Sequence, residues 1–231
     1  EFHLNYLIFY LLYFGNQSEF LAARPLLERS LSLSEQTLGP SHPTTANSLI
    51  NLADYLKKTG CSGDFAAARH LYERALRIRE DAFGPMHQDT ASSLTSLAEY
   101  LAATEDPTDQ TTSCYLYDRA LTILETIRSP DDDETLTIKE SYTLMLQKVG
   151  RAEDALPLIH DVLERRLRLS GDNSLETATA LSALGATLHA TGDRSGAEEA
   201  YRHALAISME KLGSEDPATK LVQSRLDDLF A

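Results

Sequence analysis

Cysteine is scarce in this 231-residue chain, with only Cys61 and Cys114. Two thiols at unrelated positions exclude a disulfide framework and a zinc site, and they suit a reducing, cytoplasmic compartment. Positive charge is scarce as well: 21 Lys and Arg face 35 Asp and Glu, for a formal net charge of −14. That balance repels phosphate backbones and excludes nucleic acid as a partner. It favours a basic peptide or protein face, with salt-sensitive association. No apolar run is long enough to cross a bilayer, so no membrane insertion is expected. The nearest, residues 4–14 (LNYLIFYLLYF), shows no basic leader or small-residue cleavage site and keeps the repeat register, so a repeat helix is expected there rather than a signal-peptide core.

Catalytic signatures are missing too. The chain holds no G-x-S-x-G, phosphate loop, G-x-G-x-x-G or H-E-x-x-H, and no two histidines stand four apart. An enzyme, a cofactor and a metal site are therefore not expected. The run Asp131 to Glu134 lacks the glycine and distal glutamate of a calcium loop and reads as the charged start of a helix, facing the positive end of its macrodipole.

What is present is repetition. Thr45, Thr90, Thr135, Thr177 and Thr219 open one pattern at steps of 45, 45, 42 and 42 residues. An A-x-x-L-x-x-L-A-like segment follows, as in Ala46, Leu49, Leu52 and Ala53, then Ala91, Leu94, Leu97 and Ala98. A second segment keeps the same frame: LLERSL from Leu26, LYERAL from Leu71, LYDRAL from Leu116, LIHDVL from Leu158 and AYRHAL from Ala200. Two halves with one set of spacings mark a tandem array whose units bury their apolar faces against one another.

The apolar spacing is that of helices, so each unit reads as helix A, turn, helix B, loop. Gly15, Gly60 with Gly63, Pro107, Gly150 and Gly192 mark the turns, and Gly39-Pro40, Gly84-Pro85, Ser129-Pro130, Ser170-Gly171 and Gly213 end helix B. Ser41 with Pro43, and Asp216 with Pro217, are expected to start helix A. A single array over 1–231 follows, with repeats at about 1–45, 46–90, 91–135, 136–177 and 178–219 and a terminal helix over 217–230.

The stretch from Gly63 to Ala98, GDFAAARHLYERALRIREDAFGPMHQDTASSLTSLA, resembles the long tetratricopeptide repeats of kinesin light chains and of related bacterial and fungal proteins. Gly39-Pro40-Ser41-His42-Pro43-Thr44-Thr45-Ala46 is similar to their inter-repeat loop. The resemblance implies an all-α, right-handed solenoid of five helix-turn-helix units plus a terminal helix, with helix A lining the concave face. Two departures stand out. Leu136, Lys139 and Tyr142 replace the usual Ala, Leu and Leu, which predicts a junction before the fourth repeat that is looser or bends differently. TDQTTS, residues 108–113, replaces the usual start of helix B and predicts a late start there.

On that frame the outward positions of helix A are the candidate groove contacts: Asn47, Asn51, Asp54 and Lys58; Ser92, Ser96 and Glu99; Thr137, Glu140, Leu144 and Lys148; Thr179, Ser182, Ala186 and His189. Their amide and hydroxyl groups would bond the backbone of an extended peptide. Phe2, Tyr6, Phe9, Tyr10 and Tyr13 make the first helix aromatic on more than one face, so an interface is expected there, with further repeats or domains upstream of Glu1. The expected role is a scaffold or adaptor that binds a protein segment. A repeat sensor within a larger nucleotide-binding signalling protein, or a structural subunit of a large assembly, is the alternative.

Overall fold

The computed structural model describes residues 17–59 and 61–230. Every regular element among them is an α-helix: α1 (Gln17–Thr37), α2 (Pro43–Lys58), α3 (Ser62–Phe83), α4 (Gln88–Ala102), α5 (Pro107–Ile127), α6 (Asp133–Lys148), α7 (Ala152–Ser170), α8 (Leu175–Thr191), α9 (Arg194–Leu212) and α10 (Pro217–Asp228). Even-numbered helices are helix A of successive repeats, and odd-numbered ones are helix B. The aromatic helix expected over the first residues, with Phe2, Tyr6, Phe9, Tyr10 and Tyr13, lies outside the described residues.

The chain divides into two compact units, Glu1–Thr104 and Glu105–Ala231, so the division falls between α4 and α5. In each unit a helix packs chiefly on the next in sequence. In the first unit α1 meets α2, α2 meets α3, and α3 meets α4. In the second the same order runs from α5 to α10, and α6 also meets α8. Contacts confined to near neighbours are the packing logic of a repeat array.

The repeated small and large residues form the cores. In the first unit Ala46 and Leu49 of α2 pack on Ala75 and Ile78 of α3. In the second, Leu136 of α6 and Ile159 and Val162 of α7 meet Ala180, Ala183 and Leu184 of α8. Ala178 and Leu181 of α8 then join Tyr201, Ala204 and Ile207 of α9 with Val222 and Leu226 of α10. Small residues let backbones approach closely. Gly185 of α8 is the extreme case, since a Cβ there would stand 2.8 Å from the Tyr201 ring.

The recurrent threonine is the third residue of each helix A, not its first. Its role is a seal on the preceding loop. Thr45 donates to the Gly39 carbonyl at 2.8 Å, Thr90 to Gly84 at 2.8 Å, and Thr177 to Gly171 at 2.7 Å. Those glycines have φ of 103°, 85° and 83°, the left-handed region in which a side chain is strained. At the junction without glycine, Thr135 turns instead to Asp132 Oδ2 at 3.2 Å. Thr219, also buried, has no partner for its hydroxyl.

Several sequence expectations are corrected. His42, not Ser41, caps α2, its Nδ1 accepting from the Thr44 amide at 3.1 Å; His87 caps α4 in the same way. Gly63 lies inside the first turn of α3 rather than in the turn before it. Helix α5 does not begin late: Asp106 accepts from the Thr108 amide at 2.7 Å, Pro107 fills the first helical position, and the helix runs through the TDQTTS stretch. Asp132 caps α6 as the acidic run implied.

The junction expected to be looser is bridged by ion pairs. Lys139, buried where the repeat pattern wants leucine, bonds Glu125 of α5 at 2.7 Å and Asp161 of α7 at 2.8 Å. Burial works against its charge, and the two carboxylates outweigh burial and hold its pKa above the ordinary value. Arg128 joins Asp132 at 2.9 Å and Glu134 at 2.8 Å, while Arg165 joins Asp131 at 2.8 Å.

Candidate functional site: the groove of the second unit

Helix A supplies the walls of the candidate site. Three of them, α6, α8 and α10, line a groove of about 380 Å³ in the second unit, to which α9 adds Ser208 and Leu212. Its floor is Ala178, Ala183 and Val222, apolar residues buried in the core. Around it stand four leucines well exposed to solvent: Leu144 at 42%, Leu175 at 38%, Leu212 at 40% and Leu221 at 53%. Leaving that much leucine in water costs free energy that a partner's apolar side chains would recover.

The polar groups of the groove are few and largely engaged. Glu140 accepts from Arg166 Nε at 3.2 Å, and Arg166, reaching in from α7, also bonds Asp133 and, at 3.2 Å, the Thr137 hydroxyl. Burial pushes the Glu140 carboxyl above the usual carboxylate range, with Arg166 pulling the other way. Burial also opposes the Arg166 charge, but the bonds to Asp133 and Glu140 win and hold its pKa above the ordinary value. Arg225 of α10 donates to the Ser182 hydroxyl at 2.9 Å. Thr179 donates to its own helix, at the Leu175 carbonyl.

The residues proposed from the sequence as groove contacts differ in their exposure. Thr137, Leu144, Lys148, Thr179 and His189 are exposed. Glu140 and Ser182 are not: both are buried, because an arginine from a neighbouring helix occupies each. The groove is leucine-walled rather than a row of amides and hydroxyls. Leu175, Leu212, Leu221 and Arg225 were missed because they sit at a helix start, on helix B and on the terminal helix. A signal existed for one: Leu221 holds the same repeat position as Thr179 and Thr137.

The first unit carries the remaining candidates. Asn47 is exposed but accepts from Arg79 Nη2 at 2.6 Å. Arg79 is buried at the repeat position of Arg166 and donates also to Ser93 Oγ at 2.9 Å and to the Asp89 carbonyl at 2.8 Å; burial lowers its pKa, with Asp89 pulling the other way. Asp54 accepts from the Tyr72 hydroxyl, and Lys57 stands 3.9 Å from Glu99. Asn51, Ser92 and Ser96 are half-buried, while Lys58 and Glu99 are exposed. Among the described residues no cluster of His, Cys, Asp and Glu could hold a metal, and no helix is long and apolar enough to cross a membrane.

Comparison with known proteins agrees with this architecture. The mouse and rat proteins named tetratricopeptide repeat protein 23 are 32% and 30% identical to the chain over 94 residues, which is 41% of this chain. The matched segment is only 21% of the rat protein and 19% of the mouse protein. Among solved structures, a Podosopora anserina protein with nearly identical TPR-like repeats, described as a kinesin light chain, superposes with a TM-score of 0.77 at 18% identity, covering 90% of this chain and 95% of that one. BtubC (BKLC) from P. vanneervenii superposes with a TM-score of 0.71 at 22% identity, covering 91% of this chain and 81% of that one. These likenesses establish the fold. The tetratricopeptide repeat family model matches residues 12–60, 61–109 and 142–210, most of the chain, and with the stacked helix pairs and the shared repeat frame it follows that this protein belongs to the tetratricopeptide repeat family.

Proposed function

We propose that the chain is a protein-interaction scaffold or adaptor of the kinesin light chain-like type, and that the groove of α6, α8 and α10 captures a segment of its partner. One observation carries the reading: four exposed leucines converge on a concave surface whose floor is already packed. Apolar side chains around a concavity are what a binding groove needs and what a solvated helix face avoids. One repeat frame runs through both units in sequence, which supports a single array. The acidic balance supports a basic partner, and the two free cysteines support a cytoplasmic setting.

The test begins with a partner identified by proximity labelling in cells and then purified. Leu144→Asp with Leu221→Asp should weaken its binding at least about tenfold, with helicity by circular dichroism unchanged. The combined variant Asn51→Ala, Lys58→Ala, Ser96→Ala probes the first unit in the same assay. Loss of binding only in that second variant would move the capture surface away from the leucine groove and overturn the reading.

A further inference from the structure

We infer that the partner segment seated in the groove of α6, α8 and α10 is an amphipathic α-helix with an apolar stripe and basic flanks, not an extended strand. The inference rests on the groove being the capture surface, as proposed above.

Hydrogen-bond accounting separates the two occupants. An extended segment brings an unsatisfied N–H and C=O at every residue, and a groove that takes one must answer them with side chains that both donate and accept. Asn and Gln do this, and neither occurs among the groove-lining residues. The polar side chains that remain are few and in part engaged: Thr179 donates to the Leu175 carbonyl, Ser182 accepts from Arg225, Glu140 is held by Arg166, and Ser208 is buried. Seating a strand here would take its peptide groups out of water without replacing their bonds, at a cost of about 1–3 kcal/mol for each group left unmet. A helix satisfies its own backbone. It needs from a groove only somewhere to place apolar side chains at the i, i+3, i+4 and i+7 positions.

The walls offer that. Leu144 on α6, Leu175 on α8, Leu212 on α9 and Leu221 on α10 stand around a floor of Ala178, Ala183 and Val222. Apolar side chains inserted there would meet that buried floor below and the four leucines at their sides.

Charge selects the flanks. Residues 105–231 hold 24 of the acidic residues against 13 of the basic ones, so most of the negative balance of the whole chain belongs to the unit that carries the groove. Acids also stand at the starts of the groove's three A helices: Glu176 beside Leu175 on α8, Asp216 before α10, and two that are already paired, Asp133 with Arg166 and Glu215 with Lys220. The Arg225 guanidinium is the one basic group among the groove-lining residues, and it is spent in part on Ser182. A helix with Lys and Arg beside its apolar stripe meets this field with attraction, and one with Glu and Asp meets repulsion.

Three synthetic peptides of about four helical turns test this against the full chain by titration calorimetry. The first is side-chain-locked as a helix, with Leu at i, i+3, i+4 and i+7 and Lys on the flanks. The second has the same composition with two internal prolines that forbid the helix. The third is the locked helix with Glu in place of Lys. The first should bind at least about tenfold tighter than either other peptide at low salt. Its advantage over the third should shrink as salt rises, and Leu221→Asp should remove its binding.

If the proline peptide binds as well as the helix, or the Glu helix as well as the Lys helix, the present inference is overturned while the groove survives as the capture surface. If the Lys helix binds but Leu221→Asp leaves its affinity unchanged, or no peptide binds, the groove reading itself fails and this inference with it.

Discussion

The hydroxyl of Thr90 donates to the carbonyl of Gly84 at 2.8 Å, tying the third residue of one helix to the left-handed residue that ends the helix before it. Thr45 and Thr177 repeat the bond, and Thr219, at the same position of the last helix, has a buried hydroxyl with no partner. Thr→Val keeps the branched shape and removes only the hydroxyl. Thr90→Val should lose about 1–2 kcal/mol in urea unfolding, because it also strands the Gly84 carbonyl. Thr219→Val should be neutral or should gain up to about 1 kcal/mol, since it deletes an unmet polar group. Equal losses at the two sites would show that the loop seal is not what the threonine supplies.

Gly185 tests the opposite kind of constraint, one of space. Alanine in a helix gains about 1 kcal/mol over glycine by propensity alone. Here its Cβ would stand 2.8 Å from both Cδ1 and Cε1 of Tyr201, so the ring or the helix must shift. Gly185→Ala should therefore destabilise by a net of about 1–2 kcal/mol. In a Tyr201→Leu background, which places there the residue that Leu27 provides in the first repeat, the alanine should become neutral or stabilising. A double-mutant cycle of thermal unfolding reads the coupling, and additivity would exclude the steric account.

Acid should weaken the second unit. Burial alone would raise the Asp132 carboxyl, but the Thr135 amide and Arg128 outweigh it and hold its pKa below the ordinary value. Asp161 is raised by burial and lowered further by Lys139 and Arg165, with the same net direction. A carboxylate depressed in the folded state contributes stability that is complete above its unfolded pKa, about 3.9, and is lost as pH falls through the folded value. Glu140, raised by burial, works in the other direction. Unfolding free energy should thus fall on acidification below about pH 4, and the double variant Asp132→Asn, Asp161→Asn should flatten that limb. Asparagine still caps a helix, so the comparison isolates charge. Parallel pH curves for the two proteins would contradict the assignment.

Some features could be read from the residue order and others could not, and the boundary has a physical basis. The repeat frame, the helix pairs and the acidic helix start before Thr135 follow from spacing and from local chemistry, because helix periodicity and capping involve residues within one turn of each other. The same locality misled at Ser41 and at residues 108–113. Which of several adjacent polar side chains caps a helix depends on backbone angles that the residue list leaves open. His42 accepts where Ser41 was expected to, and Asp106 with Pro107 starts α5 ahead of an unpromising stretch.

The composition and period by themselves determined an all-helical tandem array with an acidic surface and a threonine at each helix start, since these need only local propensity and the sum of charges. Only tertiary packing decided which outward positions remain available. Arg166 reaches 26 residues back to Glu140, and Arg225 reaches 43 residues back to Ser182. Long side chains from neighbouring helices thereby fill the polar sites and leave leucine as the groove's free surface. A contact between residues that far apart exists only once the helices have stacked, so no window along the chain carries it.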